Sequence, residues 1–323
     1  MNFNIDLHCD LLCYLLEEDS AIDDRELGCS LPFLKQGNVK LQVMAIYAGT
    51  GGNSSANGIK QSEIFSELIK SENFFLFEGE NYKNIENIDK VGVIASIENA
   101  SAFCNEDGTL EAGFKNLETI IENTRKILYL GITHHTENRF GGGNNSEAGL
   151  KDDGEILIDY IADKKIAIDL AHTSDQLAYD ILNYIDQKNY SIPILASHSN
   201  YRSIQDKKRN LPDELAKEII KRKGLIGLNL IKDWLDDKSP ERLYEHIQHG
   251  LDLGGHDAVA YGLDFFHDKA HPDQSRYPFF FEAYDDASAF NTINSRLEKD
   301  FSTELMEKIS HKNALKFLER ISV

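Results

Sequence analysis

Short runs of apolar and small residues recur along the chain at Phe3–His8, Leu41–Ala48, Val91–Ile97, Tyr129–Thr133, Ile166–Ala171, Ile192–Ser197, Leu225–Leu230 and Ala258–Leu263. Most are nearly continuous rather than alternating, which predicts strands covered on both faces. Between them the apolar positions change to a helical spacing, at Gln61–Ser71, Leu110–Lys126, Gly154–Lys164, Ser174–Lys188, Pro212–Lys223 and Ser239–Leu253. Start signals support several of these: Ser174 stands before an apolar-periodic run, and Pro212-Asp213-Glu214 puts Pro and acids in a first turn. Ser302-Thr303-Glu304 opens a C-terminal helix ending near Leu318. Two Gly-rich stretches, Gly49–Gly58 and Phe140–Asn145, read as loops after the second and fourth strands.

Strand and helix alternating in this way predict a parallel sheet. Eight strands predict a closed (β/α)8 barrel of the TIM type, and no GxGxxG turn after the first strand favours an open dinucleotide-binding sheet. With 323 residues, only 6 Pro and no composition break, the expected organisation is one catalytic domain over 1–323 with a C-terminal helix. Charge narrows the partners. There are 34 Lys plus Arg against 54 Asp plus Glu, a formal net charge of -20, so nucleic acid and anionic membrane are not expected partners. The N-terminus has no basic, apolar and small-residue series of a signal peptide, and no run approaches a membrane span. Cys9, Cys13, Cys29 and Cys104 form no CxxC pair, so they are expected to be reduced thiols in a cytoplasmic protein.

The candidate chemistry lies at the strand ends, where a barrel carries its active site. The first strand ends His8-Cys9-Asp10, the third at Glu98, the fourth at His134 and His135, the fifth at His172, the sixth at His198 and the eighth at Asp264. In an extended segment His8 and Asp10 point the same way while Cys9 points to the opposite face. Each of these residues alone is more often a capped, solvated or hydrogen-bonded group than a ligand. Together, at corresponding positions, they predict a metal site. His8, Asp10, Glu98, His172 and His198 exceed the needs of one ion and suit two, with Glu98 shared. Nitrogen and oxygen donors without thiolate favour zinc, Zn2+, two per chain. Two ions about 3.5–4 Å apart can hold a bridging hydroxide and polarise a carbonyl, which is hydrolytic chemistry. Asp264 can be a proton shuttle, with a sixth ligand or a helix cap as the alternative. His134 can polarise the substrate carbonyl and is preferred to His135, which faces away if the strand continues. The basic run Lys207-Lys208-Arg209-Asn210 can bring one Arg to a substrate carboxylate.

These residues together resemble the membrane (renal) dipeptidase family of zinc peptidases over nearly the whole chain. The resemblance rests on His8-Cys9-Asp10, the segment Leu34–Gln42, Ile97-Glu98-Asn99-Ala100, Thr133–Asn138, Asp169–Ser174, Ser197-His198-Ser199, Arg209–Asp213 and Gly262-Leu263-Asp264-Phe265. It implies a (β/α)8 barrel with a binuclear zinc site: His8 and Asp10 on one ion, His172 and His198 on the other, and Glu98 bridging. It further implies that His134 and Arg209 bind substrate, that Asp264 orients the amino end and relays the proton, and that the substrate is a small dipeptide. A homodimer is expected from the resemblance alone. The chain departs from the family pattern at Asn99-Ala100, where glycines are common, at Leu230, where an aromatic is usual, and at Phe266-His267, where Asp-Gly is usual. The alternative is another barrel amidohydrolase acting on an amide, lactam or ester of a small carboxylate. Such enzymes typically begin with HxH and often bridge through a modified Lys, and this chain has neither.

Overall fold

The computed structural model describes residues 3–322; Met1, Asn2 and Val323 of the expected 1–323 domain lie outside them. Nine parallel strands form the sheet: β1 (Asn4–Cys9), β2 (Val39–Tyr47), β3 (Phe74–Leu76), β4 (Val91–Glu98), β5 (Ile127–Gly131), β6 (Ala167–Asp169), β7 (Ile194–Leu195), β8 (Ile226–Leu228) and β9 (Val259–Tyr261). Eight of them run in the order β7-β6-β5-β4-β2-β1-β9-β8. A parallel bridge between Ala196 and Ile226 joins β7 to β8, so the barrel closes as expected. The ninth strand, β3, was not expected. It pairs with Val91–Val93 at the start of β4, while β5 pairs further along at Ala95 and Ile97. Three residues carry too little pattern to be legible, and this strand fills an edge that β5 leaves open.

The closing seam depends on two glycines. A Cβ at Gly227 or at Gly262 would run into the Ser197 carbonyl, and Gly227 also exchanges backbone hydrogen bonds with Ala196 (2.8 Å) and Ser199 (2.6 Å). Gly262→Ala should therefore cost about 1–3 kcal/mol, as overpacking does. A urea midpoint unchanged from that of the parent chain would refute this.

The helices mostly stand where the periodicity puts them, at Leu110–Thr124, Asp152–Ile161, Asp175–Lys188, Asp213–Lys221 and Arg242–Asp252. Ser174 caps its helix by accepting from Leu177 N at 2.9 Å. Three expectations are corrected. The stretch Gly49–Gly58 is not all loop, because a helix spans Ser54–Leu68. Its small polar first turns suit a loop by composition, but Gly58 lets the helix lie against the Ala102 carbonyl, where any Cβ would collide. The C-terminal helix is broken: Thr303–Glu307 and Asn313–Ser322 flank a π-turn at Lys308–Lys312. A helix at Ala289–Asp300 was missed, its buried face reduced to Ala289, Phe290, Ile293, Asn294 and Leu297.

The core has two parts. One lies between strands and helices and includes Met44, Ile97, Leu130, Leu177 and Ile247. The other joins strand residues Leu7, Val43, Tyr129 and Leu195 to Ala314, Phe317 and Leu318 of the last helix. Asn313 Nδ2 ties that helix to the carbonyls of His256 and Val259, at the start of β9. The last helix thus packs at the N-terminal end of the barrel, leaving the opposite end to the polar strand-end residues.

Candidate metal centre and active site

The site residues follow a common geometry. β5, β6, β7 and β9 end at Gly131, Asp169, Leu195 and Tyr261, and His134, His172, His198 and Asp264 each follow a short turn beyond. Two of them, His172 (φ 63°) and Asp264 (φ 67°), occupy the left-handed region, as does Asn99 (φ 75°) directly after Glu98. Such conformations cost of order 1–3 kcal/mol each in non-glycine residues and persist where the surroundings fix them. Asn99 is fixed on both sides: Nδ2 donates to Ala48 O (2.8 Å), and Oδ1 accepts from Ser101 N (3.1 Å) and Asn138 Nδ2 (3.0 Å). Asn is one of the few side chains that tolerate this region, which explains its presence where glycine is usual.

Hydrogen bonds behind the three histidines settle which nitrogen of each faces the centre. Tyr129 donates its hydroxyl to Leu7 O (2.8 Å), so its oxygen accepts from His8 Nδ1 (2.8 Å). Ser197 donates to Asp169 Oδ2 (2.5 Å) and accepts from His198 Nδ1 (2.6 Å). Asn144 Oδ1 accepts from His172 Nδ1 (3.3 Å) and from His135 Nδ1 (2.9 Å). In each case Nδ1 carries a proton and Nε2 is the atom that faces inward, the orientation that a metal ligand requires. The Nε2 atoms of His172 and His198 stand 2.9 Å apart, two lone pairs aimed at one region. His8 Nε2 and Asp10 Oδ1 are buried without any hydrogen-bond partner. Buried polar atoms are rarely left so, and a cation would satisfy all of them.

Glu98 lies between these nitrogens. Its Oε2 is 3.5 Å from His8 Nε2; its Oε1 is 3.0 Å from His172 Nε2 and 3.4 Å from His198 Nε2. One carboxylate oxygen thus faces each group, the arrangement of a bridge. The charges also call for cations. Burial, then the Glu98 carboxylate, raises Asp10 to about 7. Burial raises Asp264 well above the carboxylate range, with Asp10 and Glu98 adding to it. Burial pulls His8 down, but the surrounding Tyr129, Glu98 and Asp264 more than offset it and raise it well above its usual value. Three buried carboxylates around inward-facing imidazole nitrogens form a place where positive charge is strongly favoured. The groupings with metal-binding spacing are His8–Glu98–His198, His8–Asp10–Asp264 and His134–His135–His172. The donor set of imidazole and carboxylate fits zinc-type divalent ions.

A cavity of about 490 Å³ opens over this centre. His134 and His135 both line it, which corrects the expectation that His135 faces away. The strand ends at Gly131, so period-two alternation no longer governs residues 134 and 135. Burial, then His135, lowers His134 to about 3, so it stays a neutral imidazole near pH 7. Arg209 is buried behind the wall. Its Nη1 donates to Ser199 Oγ (2.9 Å), and Nη2 donates to His198 O (2.8 Å) and lies 3.1 Å from His172 Nε2. Asp264 Oδ1 is 3.7 Å from His8 Nε2. All eight expected site residues are therefore brought together at one end of the barrel.

Sequence reasoning missed the residues that hold these in place, Tyr129, Asn144 and Asp169 with Ser197, and two cavity-wall residues, Trp234 and Arg276. The chain has a single Trp, a rarity that signals something without saying where it packs. Asn144 is the most consequential omission, because one oxygen orients two imidazoles. Asn144→Ala should weaken metal binding about 10–100-fold, the usual range for losing an outer partner of a ligand. Chelator competition would measure it, and unchanged affinity would remove this role.

Comparison with known proteins shows the family and the fold. A family model described as membrane dipeptidase (peptidase family M19) matches residues 2–322. Dipeptidase tcpJ of Claviceps purpurea is 26% identical over 208 residues, 60% of this chain and 45% of its own length. The chain thus spans under half the length of that relative. Among solved structures, the metallopeptidase dipeptidase AC superposes with a TM-score of 0.82 at 20% identity, covering 100% of this chain and 99% of its own. A metallopeptidase from Rhodobacter sphaeroides, liganded with a phosphinate mimic of the dipeptide L-Ala-D-Ala, superposes with a TM-score of 0.80 at 20% identity, covering 99% and 100%.

Proposed function

The chain belongs to the membrane dipeptidase family, peptidase family M19, and from that premise we propose that it is a metal-dependent dipeptidase that hydrolyses the peptide bond of small dipeptides. The observation that carries this reading is Glu98, whose Oε2 faces His8 Nε2 and whose Oε1 faces the Nε2 atoms of His172 and His198. His8 and Asp10 would hold one ion, His172 and His198 the other, and Glu98 both. Zinc is the ion that the donors suit best. When bound, such a pair supplies an activated water and a Lewis acid for the scissile carbonyl.

The chain's own groups supply the rest. His134, neutral and on the cavity wall, offers one N–H to the developing oxyanion. Asp264, whose burial favours the protonated form, is equipped to deliver a proton to the leaving amine. Arg209, buried behind the wall beside His172 and His198, would take the substrate's terminal carboxylate. Its Nη2 now donates toward His172 Nε2, and that proton is the one freed when the nitrogen serves as a ligand. A two-point hold, by Arg209 at one end and Asp264 at the other, favours a substrate with both termini free and close together.

The test is release of free amino acids from a panel of dipeptides by protein loaded with zinc. Chelation should abolish hydrolysis and lower Tm, because Asp10, Glu98 and Asp264 then remain buried without their cations. Zinc should restore both. Absence of cleavage across the panel at full metal loading would overturn the reading.

A further inference from the structure

The cavity wall contains a guanidinium that the reaction above does not use. Arg276 lines the cavity together with Trp234, Phe279, His135 and His271. It stacks on the Trp234 ring at 5.5 Å and on the Phe279 ring at 4.9 Å. Its Nε donates to Asp233 Oδ2 at 2.5 Å, the one hydrogen bond it makes among the described residues. Its Nη2 is buried with no partner at all. Arg209 stacks on the same indole at 4.8 Å.

A guanidinium held by its Nε and by two aromatic faces is oriented at little further entropy cost, and its remaining edge is a ready donor pair for a carboxylate. An unpaired buried N–H is expensive, and a ligand oxygen would satisfy it. Among the charged groups lining the cavity, Glu17 pairs with His267 (3.0 Å), while Arg276 is paired with Asp233 through its Nε alone (2.5 Å). Asp233 engages only the Nε of Arg276, so its terminal nitrogens remain for a ligand carboxylate lying close to the one on Arg209, across the shared indole. A dipeptide has only one terminal carboxylate, so the second must come from a side chain.

We propose that Arg276 binds a side-chain carboxylate, and that the preferred substrates carry Asp or Glu at the C-terminal position, with their α-carboxylate on Arg209. This rests on the dipeptidase reading and adds the substrate class to it. Trp234 serves as the common platform, and Asp233 sets the angle of the guanidinium.

The discriminating experiment compares dipeptides that differ only by acid against amide, Asp against Asn and Glu against Gln, in both configurations of the C-terminal residue. The acid should exceed the amide by at least about 10²-fold in kcat/KM, as a site built around a polar group discriminates. Arg276→Met should bring that ratio close to one, and Arg276→Lys should keep part of it. Equal rates for acid and amide in the parent enzyme, or an undiminished ratio in Arg276→Met, would overturn the proposal. A binding measurement separates it from the hydrolytic reading. Trp234 is the sole Trp, so its fluorescence reports directly on this corner. Free glutamate should perturb it at concentrations where glutamine does not, and Arg276→Met should abolish the difference. If no dipeptide is cleaved, the dipeptidase reading falls while the fluorescence still decides the fate of this one. Matching responses to glutamate and glutamine would refute it.

Discussion

Glu98→Gln should remove metal and activity together, with hydrolysis falling by well over about 10²-fold, beyond the range for losing an outer partner of a ligand. The reason lies in the distances. Oε1 is 3.0 Å from His172 Nε2 and Oε2 is 3.5 Å from His8 Nε2, so any amide orientation sets an NH2 against one of these lone pairs. That NH2 would cap a nitrogen required as a ligand, and bound metal should fall well below the parent's content by elemental analysis. The same change should raise the Tm of the metal-free protein. It replaces a buried carboxylate by a neutral group and satisfies a buried lone pair. A merely inactive but metal-replete variant would show that Glu98 is not the bridge. A metal-free variant less stable than metal-free parent would show that its charge holds the apo fold together.

Asp264→Asn should behave differently, losing about 10²–10⁴-fold in kcat, the range for a general acid–base group, with both metals retained. Asp264 Oδ1 lies 3.7 Å from His8 Nε2 and groups with His8 and Asp10, so a ligand role is the sharp alternative. Metal content separates the two. If one ion is lost, Asp264 is a ligand and the proton must come from elsewhere. If both remain and the rate is unchanged, the relay is wrong. Burial raises Asp264 above the carboxylate range, which favours its protonated form. The pH profile of kcat should therefore fall on the alkaline side as Asp264 loses its proton, and that limb should vanish in the Asn variant. The neighbouring His134 is held neutral down to about pH 3, so its protonation should add no limb of its own near pH 7.

Much of this site was legible because its residues violate the pattern around them. A carboxylate or imidazole ending a continuous apolar run is conspicuous, and a barrel collects strand ends at one mouth. That logic pointed to His8, Asp10, Glu98, His134, His172, His198 and Asp264, while Arg209 came from the basic run Lys207–Asn210. It failed at His135, where a strand that ends at Gly131 releases the chain from alternation. It failed also at Tyr129, which stands in β5 among apolar neighbours and looks like core until its hydroxyl is seen between Leu7 O and His8 Nδ1.

The sequence by itself therefore determined the barrel and the chemical nature of its mouth, since both follow from one-dimensional signals: hydrophobic period, chain order and residue type. Only the tertiary structure decided which nitrogen of each histidine faces inward, and that one Asn oxygen orients two rings. It also decided that Arg209 and Arg276 share one indole although 66 positions separate their numbers, 209 and 276. These are contacts between distant segments, fixed by hydrogen-bond direction and packing at scales of about an ångström. No local pattern encodes them, because each partner alone is an ordinary residue in an ordinary place.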